Sequence, residues 1–329
     1  NPDNCNYCDS VVRDGEMAAG LDRVTGDYNE FWAKRDLMNY MKPYKAATLM
    51  AHAFNDWNVV PSHSYRFIEK LKEMGVPLQI YYHQGGHGGE PPFKMMNRWF
   101  TRYLFGIENG VENDPKAWIV REGAERLSPT AYTDYPHPDA RPVTLYLTGG
   151  APEAGGLVMT KQAKQEKETL VDNYSFTGSS LAQAEYSNHR LLYLTPVLTE
   201  PVHISGVVKV KIRAASSKPA VNLSVWMVAL PWEDGRMTRM TESIITRGWA
   251  DLQNHRSLTE SEPLVPGKFY EMSFGLEPDD QIIPAGKQIG LMIFSSDKEF
   301  TLHPVPGTEL TVDLDGTEVT IPVVGGIIK

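Results

Sequence analysis

Residues 46–88 read AATLMAHAFNDWNVVPSHSYRFIEKLKEMGVPLQIYYHQGGHG and contain two apolar segments separated by a helical pattern. Residues 46–51 and 77–82 are short, apolar and bounded by polar residues, which is typical of strands buried in a parallel sheet. Residues 62–75 place apolar side chains on one face, with Ser62 as the predicted N-cap and a glycine at the end. The order strand, helix, strand predicts a parallel α/β sheet.

A second amphipathic helix is predicted over residues 93–105, directly after this segment. Its apolar side would be formed by Met96, Trp99, Phe100, Tyr103 and Leu104. We interpret its aromatic side chains as helix core rather than as a stack that binds a ligand; they are Trp99, Phe100, Tyr103 and Phe105.

The second half of the chain has a different pattern. From residue 141 onward the helical period disappears, and residues 143–147, 203–212, 221–228 and 288–294 alternate or run apolar between turn signals. This half is predicted to be an all-β sandwich of the jelly-roll type. Its tryptophans are interpreted as core and interdomain packing rather than as a carbohydrate platform; they are Trp226, Trp232 and Trp249.

The predicted fold class is therefore α/β plus all-β. We expect residues 1–120 to form the α/β part and residues 121–329 to form a jelly-roll β-sandwich. The length of 329 residues suits two domains, each with its own core.

The bulk composition excludes several classes of protein. With 41% apolar and 22% charged residues, the chain reads as an ordinary globular protein. A formal charge of −9 without a basic cluster argues against nucleic acid as a partner. No apolar run approaches the length of a membrane span, and residues 1–3 are not expected to begin a signal peptide.

The two cysteines, Cys5 and Cys8, form a single Cys-x-x-Cys near the start. This spacing is found in redox pairs and in half of a zinc site, but no second pair follows in the sequence. We interpret them as two incidental thiols in a loop.

Asp56 and His87 follow the two predicted strands and are the main candidates for chemistry. In an α/β-hydrolase the triad acid lies after one strand and the histidine after the next, in that order along the chain. The intervening residues supply the one helix and one strand that this spacing needs. A carboxylate there would orient the imidazole, which would transfer protons, and the loop glycines 85, 86, 88 and 89 would leave the ring unobstructed.

Two other interpretations of these residues stand beside the triad. Asp56 could be a turn residue and His87 a surface histidine. His52 and His83 could instead bind a metal with Asp56 as the third ligand, although a Gly-rich loop does not fix such ligands as a helix does. We predict no metal site.

A nucleophile for Asp56 and His87 is missing from the sequence. No Gly-x-Ser-x-Gly precedes Asp56, and Ser10, the serine that does, stands in a context unlike a nucleophile turn. We therefore expect the chain to be the later part of an enzyme whose serine lies elsewhere.

Residues 52–59 (HAFNDWNV), 83–88 (HQGGHG), 31–35 (FWAKR) and 193–206 (YLTPVLTEPVHISG) together resemble the Xaa-Pro dipeptidyl-peptidases of bacteria. Cocaine esterase and the α-amino-acid ester hydrolases are relatives of that family. The resemblance implies a serine peptidase with an α/β-hydrolase domain, a helical cap and a C-terminal jelly roll. Residues 1–120 would then be the C-terminal part of the α/β-hydrolase domain with a cap remnant.

By position, the resemblance implies that Asp56 is the triad acid and His87 the triad histidine. It also places Asn58 near the free amino terminus of the substrate, and the alternative for Asn58 is an Asx turn after a strand. The implied function is that of a proline-specific serine aminopeptidase releasing Xaa-Pro dipeptides through an acyl-enzyme, without a cofactor. This chain alone is expected to be inactive.

Two further functions stay open: an ester or amide hydrolase of the cocaine esterase type, and a non-catalytic binding module built on the sandwich. Expected partners are a peptide with proline at its second position and the N-terminal portion of the same enzyme, with a homodimer as an option. Nucleic acid and membrane are not expected. The predicted location is the cytoplasm, with secretion as the alternative.

Overall fold

A computed structural model of the chain describes residues 6–162, 164–233 and 243–329. Cys5 and residues 1–3, which entered the sequence predictions, lie outside these ranges. The α-helices are α1 (Glu16–Leu21), α2 (Glu30–Ala33), α3 (Ser62–Glu73), α4 (Phe93–Tyr103) and α5 (Gly178–Gln183). The strands of the first half are β1 (Thr48–Ala53), β2 (Leu78–His83), β3 (Ala117–Ile119) and β4 (Thr130–Tyr132).

In the second half, the described residues form strands, together with α5 and short 3₁₀ turns. These strands are β5 (Ala140–Thr148), β6 (Gly155–Val158), β7 (Lys167–Val171), β8 (Leu191–Leu194), β9 (Val202–Gly206), β10 (Lys209–Ser216), β11 (Asn222–Leu230), β12 (Ile244–Asp251), β13 (Tyr270–Gly275), β14 (Asp279–Ile283), β15 (Gln288–Phe294), β16 (Glu309–Asp313) and β17 (Glu318–Val324).

The first sheet has the order β1-β2-β3-β4. Strands β1 and β2 are parallel, in register from Thr48 with Leu78 to Ala53 with His83. Helix α3 connects them and buries Ile68 and Leu71. The predicted parallel α/β sheet is confirmed, and its register brings the loops after β1 and β2 to one edge.

The predicted N-cap of α3 is wrong. Pro61 occupies the cap position without a side-chain hydrogen bond, and Ser62 is the first helical residue. The backbone N–H and the hydroxyl of Ser62 both donate to the Glu277 carboxylate, at 2.7 and 3.1 Å. A carboxylate from the second half of the chain therefore takes the place of a local cap.

The predicted core role of the α4 aromatic residues is wrong in part. Trp99 is buried, whereas Phe100 and Phe105 are exposed, at 46% and 76%. Helix α4 ends at Tyr103, so Phe105 lies beyond it. The apolar side chains of this segment therefore cover a wider surface than the face that is buried.

The second half is a jelly-roll β-sandwich, as predicted. Its strands form one hydrogen-bonded network in which β11 pairs with β12 and β15, and β17 pairs with β5, β9 and β10. A continuous cluster of buried aliphatic side chains fills it, among them Val225, Met227 and Leu291. The burial of this apolar surface is the main source of its stability.

Contacts between the two halves are extensive. Tyr132 of β4 and Tyr135 of the first half's core reach into the sandwich, where their hydroxyls donate to Asp280 Oδ1 and the Asp279 carbonyl, both at 3.0 Å. The first sheet thus continues to Tyr132, and the domain division at residues 120 and 121 stays a prediction.

Candidate active site

Asp56 and His87 lie together at the edge where β1 and β2 end. The His87 Nδ1 atom is 2.9 Å from the Asp56 Oδ2 atom. Because Oδ2 is an acceptor, Nδ1 carries the proton in this contact and donates it. The His87 side chain is 64% exposed. In the described ranges its Nε2 atom forms no hydrogen bond, so a lone pair on Nε2 faces the surface.

The Asp56 carboxylate is buried and accepts hydrogen bonds on both oxygens. Oδ1 accepts from the backbone N–H groups of Asn58 and Val59, at 3.1 and 3.0 Å. Oδ2 accepts from His87 and faces His52 Nε2 at 3.3 Å. Two amides and two imidazoles therefore fix the orientation of one carboxylate.

These contacts determine the direction of the Asp56 pKa shift. Burial raises the pKa of Asp56, but the hydrogen bonds from Val59, His87 and Asn58 and the charge of His52 outweigh it. The pKa of Asp56 lies below its ordinary value, so the group is an anion at neutral pH.

His52 is part of a buried polar chain behind Asp56. Its Nε2 atom lies 2.9 Å from the Val59 carbonyl and 3.3 Å from Asp56, and both of these are acceptors. Nε2 therefore carries a proton. The Nδ1 atom contacts Ser64 Oγ at 2.6 Å, and Ser64 Oγ contacts the Tyr82 hydroxyl at 2.6 Å.

His83 lies inside the loop that carries His87. Its Nδ1 atom accepts from the Gly85 amide at 3.0 Å, and burial lowers the pKa of its imidazole. A Cβ atom built at Gly85 would lie 2.8 Å from the ring, and one at Gly89 would lie 2.4 Å from it. Gly85 and Gly89 thus let the loop close around the His83 ring. The sequence predicted a different role for the loop glycines, which was to leave the His87 ring unobstructed.

The structure does not bring His52, His83 and Asp56 together as metal ligands. Among the described residues, no group of three His, Cys, Asp or Glu side chains is placed to hold a metal ion. Ser10 lies in a π-helical turn, Cys8–Arg13, and its hydroxyl donates to the Asn6 carbonyl. Cys8 is exposed and free.

Asn58 is exposed beside the site. Its backbone N–H closes an Asx turn on the Asp56 side chain. The turn therefore uses the Asn58 backbone and the Asp56 side chain, and in the described residues the Asn58 side chain makes no hydrogen bond.

Trp57 and the β-sandwich form contacts that the sequence did not predict. The Trp57 ring packs against Arg247, Trp249 and Phe300. Interdomain packing by Trp249 was expected, but no local pattern marks Arg247, because its partners are distant in sequence.

The parallel sheet, its two loops and the following jelly roll define a protein of the α/β-hydrolase class. Two family models match the chain: "X-Pro dipeptidyl-peptidase (S15 family)" over residues 9–89, and "X-Pro dipeptidyl-peptidase C-terminal non-catalytic domain" over residues 109–325. The chain belongs to the X-Pro dipeptidyl-peptidase family, which is a family of serine hydrolases.

Curated relatives are similar over nearly all of this chain. A Rhodopirellula baltica protein named "Putative Xaa-Pro dipeptidyl-peptidase" is 58% identical over 98% of this chain and 51% of its own length. The Xaa-Pro dipeptidyl-peptidase of Lactobacillus delbrueckii subsp. lactis is 27% identical over 93% of this chain and 44% of its own length. The chain therefore spans about half the length of the curated relatives it matches.

Solved structures show the same fold. An aminopeptidase from a marine sediment Thaumarchaeota archaeon aligns with a TM-score of 0.70 at 15% identity, covering 94% of this chain and 61% of the other. An α-amino acid ester hydrolase aligns with a TM-score of 0.68 at 16% identity, covering 93% and 62%. The predicted resemblance is confirmed at the level of family and fold.

No helix among the described residues is long and apolar enough to cross a membrane.

Proposed function

We propose that this chain is the C-terminal portion of a serine exopeptidase that releases Xaa-Pro dipeptides from the amino terminus of peptides. Asp56 is the triad acid and His87 the triad base. The observation that carries the proposal is the 2.9 Å contact between His87 Nδ1 and the anionic Asp56 carboxylate, with Nε2 of the same ring facing outward.

The chemistry follows from this arrangement. Asp56 holds the imidazole in the tautomer with the proton on Nδ1, which leaves the lone pair on Nε2 to accept the proton of a serine hydroxyl. The serine attacks the carbonyl carbon of the proline residue while His87 takes the serine proton, and His87 gives that proton to the leaving amine as the C–N bond breaks and the acyl-enzyme forms. His87 then takes a proton from water, which attacks the acyl-enzyme and releases the dipeptide, and the proton returns to the serine oxygen. No cofactor takes part in these steps.

The serine itself belongs to residues outside this sequence. The relatives are about twice as long as the matched region, and no Gly-x-Ser-x-Gly precedes Asp56. We infer that the N-terminal portion of the same enzyme supplies the nucleophile and that these 329 residues alone are inactive. The cytoplasmic location and the homodimer stay predictions.

Asn58 is proposed to bind the free amino terminus of the substrate. Its side chain is exposed next to Asp56 and has no hydrogen-bond partner in the described residues. A hydrogen bond to a charged amine contributes about 1.5–3 kcal/mol. Asn58→Ala is expected to raise KM for a Gly-Pro anilide while leaving the hydrolysis of a simple acyl ester unchanged.

The test uses the complete enzyme, meaning these residues together with the serine-bearing portion. We expect turnover of a Gly-Pro anilide, and a loss of about 10⁶-fold in kcat for His87→Ala. Turnover of an acyl ester without turnover of the anilide would favour the esterase alternative. Activity unchanged by His87→Ala would favour the non-catalytic binding module.

A further inference from the structure

Two contacts from the sandwich reach the loop between β1 and α3, which carries Asp56. In the middle of this loop, next to Asp56, the Arg247 guanidinium carbon of β12 lies 3.5 Å from the centre of the Trp57 ring. The same carbon lies 4.3 Å from the centre of the Phe300 ring. A cation held against aromatic faces in this way is attracted by the ring quadrupoles.

Arg247 is held firmly on the sandwich side. It is only 3% exposed and sits in β12, whose backbone is paired with β11. Asp297 accepts from the indole N–H groups of Trp226 and Trp249, both at 3.0 Å, and so fixes two rings that flank the guanidinium. Arg247 Nε has no hydrogen-bond acceptor among the described residues, so the guanidinium is held by the ring faces and by the charges of Asp297, Glu299 and Glu277.

The second contact is at the end of the loop. Glu277 accepts from both the backbone N–H and the hydroxyl of Ser62. The Glu277 backbone N–H donates to the Arg247 carbonyl at 2.9 Å, and the Thr246 hydroxyl donates to the Glu277 carbonyl at 2.6 Å. Arg247 and Glu277 therefore belong to one connected unit.

We propose that Arg247 and Glu277 are positioning residues through which the β-sandwich holds the Asp56 loop at Trp57 and at its junction with α3. Asn58 and Val59, whose amides orient Asp56, lie between the two contacts. The inference rests on the proposed function of Asp56. It assigns a catalytic consequence to the half of the chain that matches a domain described as non-catalytic.

The expected effect is on the chemical step rather than on substrate binding. Loss of the Arg247 contact frees Trp57 and lets the neighbouring carboxylate move relative to His87. A displacement of about 1 Å at a catalytic group can lower the rate about 100-fold. We expect Arg247→Gln to lower kcat by about 10- to 100-fold with little change in KM.

The experiment compares Arg247→Gln, Arg247→Lys and Trp57→Leu in the complete enzyme. Arg213→Gln is the control for the loss of an arginine elsewhere in the sandwich, because Arg213 of β10 lies over an aromatic ring, 4.8 Å from the centre of Phe269, and is ion-paired with Asp313. Three quantities are measured: hydrogen exchange of residues 54–62, the rate of serine labelling by a fluorophosphonate, and kcat with KM. Asp56→Asn is assayed alongside.

The proposal expects faster exchange of residues 54–62 and slower labelling in Arg247→Gln, with neither change in Arg213→Gln. It also expects the effects of Arg247→Gln and Trp57→Leu to be non-additive in the double variant, since they remove one contact. Arg247→Lys keeps the charge without the planar group, so its exchange and labelling rates should lie between those of wild type and Arg247→Gln.

Unchanged exchange of residues 54–62 would overturn the proposal, whatever the catalytic result. Faster exchange with wild-type kcat would also overturn it, provided that Asp56→Asn abolishes turnover. If Asp56→Asn itself kept full turnover, the proposed function would fail, and the positioning role would fail with it.

Discussion

Asp56 is the residue with the largest number of hydrogen bonds in the site. Four donors surround its two oxygens. Two are backbone amides of the same loop, a third is His52 of β1, and the fourth is His87. Its identity as a candidate could be predicted from the sequence, since strand ends meet at one sheet edge. These donors could not be predicted from the sequence, because their positions depend on the conformation of the loop.

The depressed pKa of Asp56 predicts a pH-dependent contribution to stability. Its folded pKa lies below the unfolded value of about 3.9, so its ionised form stabilises the fold above that pH. This contribution is lost as the pH falls through the folded value. The free energy of unfolding of wild type relative to that of Asp56→Asn, measured by urea unfolding, should therefore decrease as the pH is lowered below about 4.

The matched control for this titration is Asp139→Asn, since the side chain of Asp139 is 72% exposed. A difference in unfolding free energy between wild type and Asp56→Asn that does not change down to about pH 3 would contradict the lowered pKa of Asp56.

His52 is expected to support Asp56 without touching the substrate. His52→Gln removes the donor to Asp56 Oδ2 and to the Val59 carbonyl and leaves Ser64 without its imidazole partner. We expect a loss of about 1–3 kcal/mol in stability and about a 10-fold lower kcat. Thermal unfolding and steady-state kinetics measure the two effects, and a kcat equal to that of wild type would contradict the supporting role.

At the scale of elements, local patterns predicted β1, β2 and α3 to within about two residues. Their apolar period is set by neighbours in the chain and by burial on the sheet. The N-cap failed because Glu277, which lies far away in sequence, binds Ser62. The prediction that the α4 aromatic residues form helix core failed in part, because an apolar period does not distinguish a packed face from an exposed one such as that of Phe100.

The loop after β2 offers a test of how glycine positions His87. Gly88 and Gly89 both have positive φ, at +92° and +106°, so alanine is strained at either position. Only at Gly89 would the new Cβ meet the His83 ring, at 2.4 Å, whereas Gly88 faces open space.

Gly89→Ala is therefore expected to lower kcat by at least about 10-fold more than Gly88→Ala, because it displaces the His87 loop. Steady-state kinetics of the two variants, with thermal unfolding to compare their stability, measure the difference. Equal losses of kcat would show that backbone strain alone matters.

At the scale of the whole molecule, the two halves could be predicted but their connection could not. The change from helical to alternating pattern separates an α/β part from a sandwich, because each pattern is local. The contacts of Arg247 with Trp57 and of Glu277 with Ser62 join residues far apart in the sequence. These are the contacts through which we propose that the sandwich supports the loop that carries Asp56.

The central claim is that this chain supplies the acid and the histidine to a serine that lies outside it. The most direct measurement is to label the complete enzyme with a fluorophosphonate and to locate the adduct by mass spectrometry. The adduct should lie on a serine outside these 329 residues, and His87→Ala should slow its formation by about 10³-fold or more. An adduct on a serine within this chain, or labelling that does not depend on His87, would contradict the claim.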